Sequence, residues 1–168
     1  MATHYNYIFD YNTNTYSFTT KNSIQYRIAF IVDHTFSYIA KEDIPNVFQI
    51  IIEKVDEKSE PFDEKVSQTV LHIIDQFFKK VQNSLVYVCS NSDERAFLRY
   101  TIFERWFKKS PYNNKVVKID NIFQFNLEDD KTQKLYTSFL FHKENLHFEK
   151  LIRIYLQIED ALNSPDEK

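Results

Sequence analysis

The chain has 168 residues, 43% of them hydrophobic and 27% charged, and contains no glycine. A protein of this size ordinarily carries roughly a dozen glycines, so their absence excludes the P-loop, the GxGxxG turn and the GxSxG nucleophile elbow. The net charge of -3 gives no global electrostatic reason for a nucleic-acid or anionic-membrane partner.

A lone Cys89 can form neither an intramolecular disulfide nor a thiolate cage, which suits a reducing, cytoplasmic compartment. Residues Met1 to Asn12 lack a basic start and a continuous apolar stretch. Nothing later approaches the ~18 apolar residues of a membrane span.

The first third reads as strands, because apolar residues alternate at period two in Tyr5, Tyr7 and Phe9, in Tyr16 and Phe18, and in Tyr26, Ile28, Phe30 and Val32. This is a β-meander. Its turns fall at Asn12-Thr13-Asn14 and Lys21-Asn22-Ser23, where asparagine replaces glycine as the residue most tolerant of positive φ. A further strand over Val47 to Val55 contains Ile50-Ile51-Ile52, a run suited to burial on both faces in the interior of a sheet.

The charged stretch from Glu53 to Lys65, with Pro61, reads as a loop. From Asp63 to Gln82 the residues Val66, Val70, Ile73, Ile74, Phe77, Phe78 and Val81 recur at three and four, which predicts an amphipathic helix. Leu85 to Cys89 is a short strand. A second helix is predicted from about Asp93 to Lys109, with Ser92 as N-cap, acidic Asp93 and Glu94 at its start, Lys108 and Lys109 at its end, and Pro111 beyond. Lys115 to Asn126 and Gln133 to His142 form a hairpin around Glu128-Asp129-Asp130-Lys131. The last helix runs from about Leu146 to Leu162, with Phe148, Leu151, Ile152, Tyr155, Ile158 and Leu162 on one stripe. The expectation is an α+β fold: a largely antiparallel sheet that begins with the meander and is covered by about three helices, in one domain over residues 1–162 with a frayed tail over 163–168.

One corner stands out. At about 100° per residue, Arg95 and Arg99 fall within the apolar arc of Ile102, Phe103 and Trp106, while Glu94, Thr101, Glu104 and Lys108 lie opposite. A guanidinium cannot escape burial by losing its proton, so each must meet a carboxylate, carbonyls, water or an anionic ligand. Both are expected in the first two helical turns, beside backbone N–H groups without intrahelical partners. The preceding Cys89, Ser90, Asn91, Ser92 and Asp93 bring a thiol, hydroxyls and an amide to the same place. The candidate anion- or partner-binding set is therefore Cys89, Ser90, Ser92, Asp93, Arg95 and Arg99, with no catalytic residue assigned. The alternative is structural: the arginines pair with Asp75, Asp120 or Asp93, or reach water along their stems.

The run Val86-Tyr87-Val88-Cys89-Ser90-Asn91-Ser92-Asp93-Glu94-Arg95, continued by Arg99 and Phe103 to Phe107, resembles the central block of an uncharacterised bacterial family, a domain of unknown function found mainly in Bacteroidota. The resemblance extends from Tyr5-Asn6-Tyr7 and Tyr16-Ser17-Phe18 through the helix bearing Ile73, Ile74, Phe77 and Phe78. It implies a shared fold and no chemistry. Members often carry glycine where this chain has Glu94, a departure that counts against close backbone approach to a ligand there.

Other signals are weaker. His4, His34, His72, His142 and His147 show no metal-ligand spacing, and no cofactor is implied. Cys89 could act as a nucleophile if its thiol were acidified, but a small buried hydrophobe is the simpler reading. Arg105, Lys108, Lys109, Lys115 and Lys118, interleaved with Trp106, Phe107 and Tyr112, fit a solvated basic edge better than a single-strand nucleic-acid groove. Ile154 and Leu156 widen the apolar face of the last helix, toward either a partner or the core. The sequence favours a small interaction or regulatory module holding an anionic group or protein partner without catalysis. Its rival is a small hydrolase or transferase using Cys89, Asp93, Arg95 and Arg99 on a phosphate- or carboxylate-bearing substrate.

Overall fold

The period-two alternation is realised in three strands. The computed structural model describes residues 3–89 and 94–164, and in it β1 (Tyr7–Asp10), β2 (Thr15–Thr19) and β3 (Gln25–Val32) pair antiparallel. Tyr7 lies opposite Phe18, and Phe18 opposite Tyr26, so aromatic pairs form a cross-strand ladder on one face. The two turns place Asn14 at φ 52° and Ser23 at φ 58°. The second therefore uses Ser23, not asparagine, as its left-handed residue.

A short helix, α1 (Thr35–Ala40), follows where no helix is predicted. Six residues with no side-chain N-cap and no acidic first turn carry little helical signal. Tertiary packing holds it, since Phe36 is fully buried and its ring lies 5.3 Å from that of Phe139.

β4 (Val47–Lys54) pairs antiparallel with β3 and occupies the middle of the sheet. Only part of its isoleucine run is enclosed: Ile50 is buried, but Ile51 is 46% exposed. α2 (Glu64–Phe77) begins at Asp63, whose carboxylate accepts from the Lys65 N–H, and buries Val70, Leu71, Ile73 and Ile74. It ends at Phe77, short of the predicted Gln82, and the Asn83 amide donates to the Phe77 carbonyl at 2.9 Å, satisfying an acceptor left open at the helix end. β5 (Ser84–Cys89), α3 (Ala96–Lys109), β6 (Val116–Asn126), β7 (Thr132–His142) and α4 (Phe148–Asn163) complete the order.

All seven strands form one sheet in the order β1-β2-β3-β4-β5-β7-β6, antiparallel throughout except between β4 and β5. The α+β expectation holds, with four helices instead of about three. One face packs against α2 and α3 around Ile28, Ile50, Leu85, Phe103 and Leu140; the other packs against α1 and α4 around Val47, Val86, Phe139 and Tyr155.

The last helix buries the middle of the predicted stripe and adds Ile154 to it, while the two ends of the stripe, Phe148 and Leu162, are exposed. Leu151, Ile154, Tyr155 and Ile158 are buried, whereas Leu162 and Leu156 are 47% and 53% exposed. Ile154 thus belongs to the core. α4 also runs through Asn163, whose amide donates to the Gln124 carbonyl at 2.6 Å; residues 165–168 lie outside the described residues.

Candidate functional site

The single parallel contact creates the most distinctive feature of the sheet. β4 and β5 pair only at Val47 with Ser84, Phe48 with Leu85 and Gln49 with Val86, although β4 continues to Lys54 and β5 to Cys89. Their outer edges remain laddered to β3 and β7. The carboxyl ends of the two strands therefore make a fork. Ile52 and Tyr87 line its prongs on the α2 and α3 side, while Ile51 and Val88, 46% and 36% exposed, line the opposite side.

The nominated corner stands at the end of β5, on one prong. Cys89 closes the strand opposite Tyr136 and is 2% exposed. Burial pushes its thiol above the ordinary range, outweighing the opposite pull of the Tyr87 hydroxyl and Arg99. The resting group is then a neutral thiol, which is a poor nucleophile. Tyr87 is likewise held neutral by burial and by its neighbour Cys89, with Arg99 opposing. Its ring stacks on Phe103 at 3.9 Å.

The two arginines part company. The chain takes a left-handed turn at Glu94, φ 59°, which a helix cannot include. Consequently α3 starts at Ala96 and not near Asp93. Arg95 occupies the N-cap position, where its carbonyl accepts from the Arg99 N–H at 3.0 Å, and the residue is exposed. The expectation of two inward guanidiniums fails for Arg95. Ala96, Arg99, Phe103 and Trp106 follow one another at three and four, so Arg99 lies on the helix's inner stripe and is half-buried. Both arginines have interaction partners. Ser90, Ser92 and Asp93, and with them the predicted Ser92 cap, lie outside the described residues.

The basic run is also divided. The side chain of Lys118 is 4% exposed and its ammonium binds both Glu104 on α3 and Asp120 on β6. Asp120 in turn accepts from the Ser138 hydroxyl at 2.7 Å, and burial together with Asp120 raises the Tyr100 phenol. Lys115 pairs with Asp75 at 2.8 Å. The solvated edge holds only in part: Arg105, Lys108 and Lys109 are exposed, whereas Lys115 and Lys118 are tied to carboxylates from other elements. Sequence separation concealed this polar cluster, as it concealed the stacking of His4 on His72 at 4.2 Å. Among the described residues no group of three or more His, Cys, Asp or Glu is arranged to hold a metal ion, and none of the helices is long and apolar enough to cross a membrane.

A family model described as a family of unknown function, DUF6169, matches residues 62–157, more than half the chain. The strands around Tyr5 and Tyr16 lie before the matched span. The chain is similar over 90% of its length to 70% of a solved chain described as a CoA-dependent acyl-homoserine lactone synthase, MesI, at 7% identity and a TM-score of 0.37. A likeness that distant carries no argument about activity. A search of curated proteins finds no relative.

Proposed function

The chain belongs to this family of unknown function, and we propose that it is a small interaction module that holds an anionic group, presented by a ligand or a protein partner, at the corner between β5 and α3. Cys89, Ser90, Ser92, Asp93, Arg95 and Arg99 form that corner in this reading, and no reaction is catalysed there. The observation that carries it is the fork between β4 and β5. The two strands are joined through α2 and part beyond Gln49 and Val86, which leaves room for a ligand outside their carboxyl ends, the side of parallel strands on which open α/β sheets bind theirs.

Two further features support an anion. The N-terminal turn of α3 presents backbone N–H groups and the positive end of the helix dipole, and Arg99 sits one turn further along the inner stripe. Its charge is felt at both Tyr87 and Cys89, where it favours the anionic forms. A reducing, cytoplasmic setting agrees with a single cysteine. The rival hydrolase or transferase needs a reactive thiolate at Cys89, and burial works against that. Binding of single-stranded nucleic acid loses its support with Lys115 and Lys118 in ion pairs.

The test is a thermal-shift screen of inorganic phosphate, acetate and nucleotides against the wild type, Arg99→Ala and Arg95→Ala, because a ligand of the folded state raises its melting temperature by mass action. The reading expects an anion that stabilises the wild type and loses its effect in Arg99→Ala. If no anion shifts the wild type while Arg99→Ala melts lower, Arg99 is structural and the proposal fails.

A further inference from the structure

A second feature lies away from that corner and shares none of its residues. A cavity of about 410 Å³ opens between the first turns of α2 and the second half of α3. Its apolar surface comes from Tyr26, Val66, Leu71, Ile102 and Trp106. Phe62 stands on its rim, 94% exposed, where its ring is open to contact from a ligand.

The charges around this cavity are segregated. Glu60, Asp63 and Glu64 stand on the α2 side, Arg105 and Lys109 on the α3 side. Arg105 and Lys109 are four residues apart on one helix, so their side chains reach the same region. Among the described residues, none of these five groups enters an ion pair, so the two walls do not neutralise each other across the opening. The acidic wall is also partly fixed. Asp63 accepts from the Tyr5 hydroxyl at 2.5 Å and from the Lys65 N–H at 3.0 Å, and Glu60 accepts from the Asn22 amide at 3.0 Å. Groups already held in place lose little freedom when a ligand arrives.

Size and sign together define the ligand class. Small-molecule sites occupy ~300–1,000 Å³, and this cavity is near the lower end. A polyanion is opposed by three carboxylates, and a simple cation by Arg105 and Lys109. We propose that the cavity binds a small zwitterion of the amino-acid or dipeptide class with a large apolar side chain: carboxylate toward Arg105 and Lys109, ammonium toward Glu60, Asp63 and Glu64, side chain against Trp106 and Phe62. The two charged ends give orientation and the aromatic surface gives affinity.

Trp106 is the sole tryptophan of the chain, so its emission reports occupancy directly. The full chain is titrated with leucyl-phenylalanine, with its N-acetyl derivative and with its C-terminal amide. A saturable emission change with the free dipeptide is expected, weakened about tenfold by blocking either end, since each charged hydrogen-bonded contact is worth about that factor. Arg105→Ala and Glu64→Gln, both at exposed positions, should weaken the free dipeptide similarly, with far-UV circular dichroism confirming that both are folded. Arg99→Ala should leave the titration unchanged, which separates this site from the anion corner. No saturable change with the dipeptide, equal binding of the blocked forms, or wild-type binding by Arg105→Ala would each overturn the proposal.

Discussion

Replacing Lys118 by methionine removes one ammonium from between two carboxylates while keeping most of the apolar stem. In the wild type that ammonium joins Glu104 on α3 to Asp120 on β6, and its side chain is almost wholly buried. Without it, the carboxylates that shared it face each other at roughly 5 Å, and two like charges at that distance repel by about 3 kcal/mol at an effective dielectric constant of ~20. The carboxylate side chains are 32% and 35% exposed, so water and salt screen part of this. The expected loss is about 2–3 kcal/mol, below the ~3–5 kcal/mol of a fully enclosed broken pair, and for a chain of this length it corresponds to a drop of about 5–10 °C in melting temperature. Urea denaturation followed by circular dichroism measures it, with an unchanged slope showing that the two end states are the same. Adding Glu104→Gln and Asp120→Asn to Lys118→Met should recover most of the loss, because the penalty lies in uncompensated charge and not in packing. A single variant within about 0.5 kcal/mol of the wild type, the range of neutral surface changes, or a triple variant less stable than the single one, would refute the reasoning.

Three further outcomes are expected. Lys41→Gly should stabilise the fold by about 0.5–1 kcal/mol, since Lys41 ends α1 at φ 54° and relief of left-handed strain exceeds the added freedom of the unfolded chain; a destabilised variant in urea melts would contradict this. Cys89 should react with a thiol-specific disulfide reagent at neutral pH only as fast as the protein opens, being buried with a raised thiol pKa; labelling at the rate of a free thiol would be the opposite result. The imidazole of His72 is held below its ordinary 6.5 by burial and then by His4, so the unfolded chain takes up that proton first as the pH falls. Its stabilisation is complete above about 6.5 and declines as the pH drops toward the lower folded value. The melting temperature should therefore fall less steeply from pH 7 to 5 in His72→Phe than in the wild type, and parallel curves would exclude the effect.

Where local chemistry decides, the sequence is informative. α2 begins where the apolar period from Asp63 starts, and Asn14 takes up positive φ in a chain without glycine. Prediction fails where distant residues decide. α1 exists because Phe36 reaches Phe139, and no short-range pattern encodes that. α3 starts late because Glu94 turns left-handed, so the helical wheel placed Arg95 inside a helix it only precedes. Arg99 remained on the inner stripe because its spacing to Phe103 and Trp106 is a local property. The fork, the Lys118 cluster and the cavity beside Trp106 depend on strand order and helix placement, which hydrophobic periodicity does not contain.

The short seam between β4 and β5 makes the sheet mechanically two pieces, a four-stranded ribbon from β1 to β4 and a three-stranded one from β5 through β7 to β6. Side chains from both ribbons meet in one core beneath α2 and α3, so apolar contact, more than backbone bonding, fastens the ribbons together. Apolar attraction weakens on cooling. The joint should accordingly slacken in the cold before either ribbon frays, and any molecule wedged at the fork would set the angle at which the halves meet.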